Sequence, residues 1–227
     1  MNEQQFELIR SLVQSAFDKS EIKNRAATKG KKWGYSICDS EIEPGNVLLV
    51  GINGGVAKGE TWDPQTFEKK PMQFFMDLCE LKPKDQGSFR QVGTWFRQYS
   101  YLPQASLERM GQVNYCFFRS PKEGDITNAD LALCEPIFQQ LLGFAEPTHL
   151  ICFLSGRITK RIQESSGFTT LNSMRITYPC GRSQCVFNAF KGILRVSTAD
   201  IPISFLPHPA LPLTNDTRKS AWDFCFA

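Results

Sequence analysis

Four short apolar runs recur along this chain, Val47–Val50, Gln112–Phe118, His149–Leu154 and Ile201–Leu206, with amphipathic segments between them. Runs this short and this apolar suit strands buried on both faces. Residues 3–17 place Phe6, Ile9, Leu12, Val13 and Phe17 at helical spacing. Pro71–Leu81, with Phe74, Phe75, Leu78 and Cys79, and Asn128–Phe144, with Leu131, Cys134, Ile137, Phe138 and Leu141, read as further helices. Another helix is predicted near 157–165 and a short one over Val186–Leu194. Strands alternating with helices predict an α/β fold, a three-layer α/β/α sandwich around a mainly parallel sheet of four to five strands.

The 227 residues fit one domain, 1–227, with enough apolar content for a sizeable core. Residues 1–45 read as an N-terminal helix followed by a basic connector. Lys19, Lys23, Arg25, Lys29, Lys31 and Lys32 crowd residues 18–34, which suits either a solvated, mobile connector or a segment that contacts phosphates.

No run of about 18 apolar residues exists, so no membrane span is expected, and the first residues lack the layout of a secretory signal. Eight cysteines show no compact disulfide framework, and Cys79, Cys116 and Cys152 sit inside apolar segments. Reduced thiols and a cytoplasmic location follow as expectations. Cys180 and Cys185 have no second pair at zinc spacing, so no metal is expected. A net charge of +3 permits an anionic partner without demanding one.

Ligands of parallel sheets gather where strands end at their carboxyl edge. The first run empties into Gly51-Ile52-Asn53-Gly54-Gly55, the second ends in Arg119 with Asn114 upstream, and the last meets Pro207-His208-Pro209. His208 is one of two histidines, and the prolines on either side restrict its backbone. The glycine-rich turn is neither a dinucleotide fingerprint nor a P-loop, lacking the third glycine of one and the Gly-Lys-Ser/Thr of the other. By itself it could be a tight turn in which Asn53 tolerates positive φ.

Taken in order, these segments resemble the uracil-DNA glycosylase superfamily. Val47–Gly55 is similar to its first motif, in the form of the mismatch-specific and single-strand-selective branches, and Ser204–Leu213 to its His-Pro-Ser/Ala loop. Between them, Asn114–Pro121, Asn128–Pro136 and Pro147–Arg157 follow the branch that carries an iron–sulfur cluster. The likeness spans roughly residues 47–218.

The resemblance implies a DNA glycosylase that flips out uracil or a modified pyrimidine and hydrolyses its N-glycosidic bond. Asn53 would orient the attacking water and His208 would stabilise the departing base. Asn114 would read the base edge, with Gly51, Ile52 and Gly54 around it and Phe67, or else Trp62, stacking on it. Arg119, Ser155, Arg157, Pro209, Ala210, Leu211 and Leu213 would meet the DNA, Leu211 or Leu213 entering the duplex as a wedge.

The chain departs from the pattern at several places. Of the cluster cysteines only Cys134 is present, Phe118 holding the preceding position and the N-terminal pair having no counterpart around the lone Cys38, so no cluster and no other cofactor is expected. Gly54 replaces a proline, and the loop 56–70, with Glu60 and Asp63, diverges most. Removal of a bulkier base, as in modified phage DNA, therefore stays open, as does an inactive nucleic-acid-binding module of the same fold. The expected partner is DNA, met by a monomer.

Overall fold

In the computed structural model, residues 1–31, 33–37, 42–53, 110–181, 183–197, 199–208 and 211–227 are described. Asn2 caps the first helix, α1 (Glu3–Lys19), in a capping box with Gln5, and Phe6, Ile9, Val13 and Phe17 form its buried face. A second helix, α2 (Ile22–Thr28), follows at once. The connector is thus helical and packed rather than mobile, with Ile22, Ala26, Trp33 and Tyr35 all in the core.

Much of its basic character is also matched locally. Lys23 pairs with Asp18 at 2.7 Å, Arg25 with Asp130 and Lys29 with Asp125. Asp130 is buried, which by itself would raise its pKa, but hydrogen bonds from Arg25, Ser20 and Thr127 prevail and hold it below the ordinary value.

The first apolar run becomes β1 (Val47–Asn53) and the second β2 (Gly111–Cys116). A 3-10 turn, Glu123–Asp125, leads into α3 (Asn128–Ala145), whose start is fixed by a capping box between Thr127 and Asp130. Next come β3 (His149–Cys152) and α4 (Gly156–Gln163). Two long strands, β4 (Phe168–Cys180) and β5 (Ser183–Val196), form a hairpin, and β6 (Ala199–Phe205) and α5 (Asn215–Phe226) complete the described elements.

The six strands make one mixed sheet, in the order β2-β1-β3-β6-β5-β4. The first four are parallel, while β6–β5 and β5–β4 are antiparallel. Alternation along the strands splits the core. Leu48, Val50, Val113, Leu150 and Cys152 pack with residues of α1 to α4, whereas Val47, Leu49, Ile151 and Phe153 pack with Ala221, Trp222 and Cys225 of α5. Helices therefore lie against both faces of the sheet.

Two expectations need correction. The sheet is larger than four to five strands and only partly parallel, because β4 and β5 extend it. Val186–Leu194 is not a helix but most of β5. Val186, Ala189, Phe190, Ile193 and Leu194 do fall at helical spacing, yet pairing with β4 along its length and β6 over its second half gives every rung a partner. The predicted helix Pro71–Leu81 lies outside the described residues. No helix among the described residues is long and apolar enough to cross a membrane.

Candidate active site

The register of the parallel strands decides which side chains share a rim. Val50 of β1 pairs with Cys152 of β3, and Cys152 pairs with Phe205 of β6. Three residues beyond this common rung stand Asn53, Ser155 and His208. Main-chain bonds carry the alignment past the pairing, from Phe153 N to Val50 O at 2.9 Å and from Leu206 N to Cys152 O at 2.9 Å. Neighbouring strands lie about 4.8 Å apart, so β1 and β6, with β3 between them, run roughly 10 Å apart at this rung. That span suits a ligand held between two side chains.

Asn53 is held by the loop that follows β2. Its Nδ2 donates to Ser120 Oγ at 2.9 Å, and the buried Ser120 hydroxyl donates in turn to Lys122 O at 2.9 Å. Its Oδ1 is a hydrogen-bond acceptor.

Asn114 pairs with Gly51 across β1 and β2. It is only 4 % exposed, and its Nδ2 has no hydrogen-bond partner. A Cβ at position 51 would come within 2.6 Å of Asn114 Oδ1, so Gly51 is what lets this amide lie across the strand. A buried amide without a partner costs about 1–3 kcal/mol, which a ligand that accepts from it would recover. Gly51 and Ile52 are half-buried beside it.

His208 is half-buried, and burial lowers its pKa, which keeps the ring neutral near neutrality. The loop after it is tightly tied. Leu211 N donates to His208 O at 3.0 Å and Leu213 N to Leu211 O at 2.8 Å. The buried Arg218 of α5 then spans both turns, donating from Nη2 to Leu211 O at 2.6 Å and from Nε to Leu213 O at 3.3 Å. Leu213 packs with the apolar cluster around α5, while Leu211 is half-buried nearer the histidine.

Ser155 and Arg157 converge on a residue that sequence reasoning missed. The Ser155 hydroxyl donates to Glu123, and Arg157 lies 3.6 Å from the same carboxylate while donating to Ile126 O at 2.9 Å. Glu123 comes from the segment after β2 and Ser155 from the end of β3, so this bond ties together the segments that follow the two strands flanking β1. Arg119 is half-buried, its backbone N–H bonded to Gly34 O at 2.8 Å. Gly54, Trp62, Phe67, Pro209 and Ala210, with Cys38, Glu60 and Asp63, lie outside the described residues.

An iron–sulfur cluster does not fit the described residues. Cys134 is fully buried, with its Sγ 3.8 Å from Cys116 Sγ, and Phe118 is buried at the preceding ligand position. Burial first, then the neighbouring Cys134, pushes the Cys116 thiol well above its ordinary pKa, away from the thiolate a metal requires. Among the described residues no group of three or more His, Cys, Asp or Glu could hold a metal ion.

No family model and no curated protein matches this sequence.

Proposed function

We propose that the chain is a monofunctional DNA glycosylase of the uracil-DNA glycosylase type, a three-layer α/β/α domain acting on uracil or a modified pyrimidine. The observation that carries this reading is the shared rim: Asn53 and His208 stand three residues past one rung, with the unpartnered amide of Asn114 close behind. A base stacked in a duplex is out of reach of such a recess, so the nucleotide is flipped into it at a cost of a few kcal/mol.

Asn114 then meets the Watson–Crick edge of the base, its Nδ2 donating to a pyrimidine carbonyl oxygen. As the bond from C1′ to the base nitrogen breaks, the electron pair leaves with the base. Neutral His208 donates a hydrogen bond to the base oxygen on which the charge collects. This contact strengthens as charge develops, which is the condition for catalysis rather than mere binding. Water oriented by Asn53 Oδ1 adds to C1′ and loses its proton to solvent, leaving an abasic site and the free base. Leu211 is the wedge, because Leu213 is already committed to the cluster around α5. Arg119 and the Ser155–Arg157 corner lie on the DNA side of the rim. The protein works as a cytoplasmic monomer and needs no cofactor.

The test is mass spectrometry of bases released from DNAs carrying uracil, mismatched thymine, or hydroxymethylated and glucosylated cytosine. Wild type is expected to release one of these and leave alkali-labile sites, and Asn53→Ala and His208→Ala each to lower the rate about 100-fold or more. Full activity in both variants overturns the assigned roles. Salt-dependent DNA binding without release of any base points instead to a binding module.

A further inference from the structure

The pairing of β5 with β6 stops at Phe190 and Phe205, but its pairing with β4 continues from Met174–Ala189 to Cys180–Ser183. Because β6 runs toward the rim that bears His208, the seven residues Ser183–Ala189 and their β4 partners extend beyond that rim. At about 3.3 Å per residue this two-stranded overhang reaches roughly 20 Å past the end of β6.

Its two faces differ. On one, Met174, Ile176, Phe187 and Ala189 pack in the cluster around α5 that also takes Leu213. On the other, Arg175, Thr177, Pro179, Gln184, Val186 and Asn188 are all exposed. The stretch 168–196 contains no Asp or Glu, and holds Arg175, Arg182, Lys191 and Arg195. Arg195 is engaged by Asp200 at 2.8 Å, and Lys191 lies over the Phe224 ring at 5.3 Å, which among the described residues leaves Arg175 as the charge of the exposed face. Among the described strands β4 is also the outermost of the sheet, so its outward N–H groups face away from β5.

We propose that this overhang is a nucleic-acid ribbon, which lies against the sugar-phosphate backbone of the DNA beside the flipped nucleotide. The proposal rests on the glycosylase reading for its location and deepens it. A ribbon free of carboxylates, with Arg175 among amides and hydroxyls, presents phosphate oxygens with donors and no repelling charge. Two antiparallel strands also have the width that a major groove accepts. Through the cluster that holds both Phe187 and Leu213, the arm that touches the flanking DNA is the one that supports the wedge loop.

The experiment measures binding of a 20-base-pair duplex without any target base, over a series of salt concentrations, and base release from the preferred substrate. Arg175→Ala is expected to weaken binding about threefold to tenfold and to lower the salt slope by about one. Arg175→Glu is expected to weaken it further, with the urea midpoint unchanged because the side chain is exposed. Wild-type affinity and salt slope in both variants overturn the ribbon, even if base release shows that the glycosylase reading stands. Weakened binding in a protein that releases no base upholds the ribbon and sinks the glycosylase reading. A changed sedimentation coefficient with unchanged DNA affinity assigns the face to a second copy of the chain, and also overturns it.

Discussion

The four parallel strands and the β4–β5 hairpin share one sheet but divide its labour. The parallel strands are short, buried on both faces and aligned in register, so their carboxyl ends deliver Asn53, Ser155 and His208 to one rim. The hairpin is about twice as long, exposed along most of β4, and projects past that rim. Tight burial fixes where side chains end up to within the error a reaction tolerates. An exposed ribbon gives that up and gains surface. The proposed chemistry therefore falls to the parallel half, and the proposed contact with DNA to the hairpin.

The sharpest way to break this contrast is to add one methyl group to the parallel half. Gly51→Ala forces its Cβ against Asn114 Oδ1, and should cost about 1–3 kcal/mol of stability in urea denaturation. Base release should fall further than stability, since the amide proposed to read the base must move. Adding Asn114→Ala should restore stability but not activity. If Gly51→Ala alone leaves both unchanged, the close approach at the rim is not functional.

A smaller effect lies at the seam. His149 starts β3, its ring Nε2 within 2.9 Å of Ser204 Oγ on β6 and its centroid 5.3 Å from Phe226. Burial, with help from Lys191 on β5, lowers its pKa to about 4. Between an unfolded value near 6.5 and that figure, the unfolded chain binds a proton that the folded chain refuses. Stability should therefore decline as pH falls from 6.5, and His149→Gln should lose much of that decline between pH 6.5 and 5 in parallel urea titrations. An equal decline in both proteins would show that the seam tolerates the charge.

The smallest effect is expected on the hairpin. Leu171, 61 % exposed on β4, should change to Thr with a shift within about 0.5 kcal/mol. A loss comparable to that of Gly51→Ala would mean that β4 is covered in solution.

The same contrast explains what could be read from the residues alone. Val47–Val50, His149–Leu154 and Ile201–Leu206 stand out because burial makes them mostly apolar, and the stripes of α1 and α3 stand out because each buries one face. β4 was invisible because Thr169, Thr170, Asn172, Ser173 and Thr177 lie where a buried strand would be apolar. β5 was misread because its second half is apolar on both faces, which mimics a helical stripe. At the site, Asn53, Asn114 and His208 were legible as polar residues at strand ends. Ser120, Glu123 and Arg218 were not, because each matters only through a partner that the fold brings near.

Arg218 has a consequence for motion. The carbonyls of Leu211 and Leu213 receive their bonds from a helix that belongs to the opposite side of the sheet from α1 and α3. Any fluctuation that peels α5 away also releases the loop beside His208, while fraying of α1 leaves it in place. The loop that follows His208 is thus tied to α5, and a helix and a loop joined in this way tend to open together.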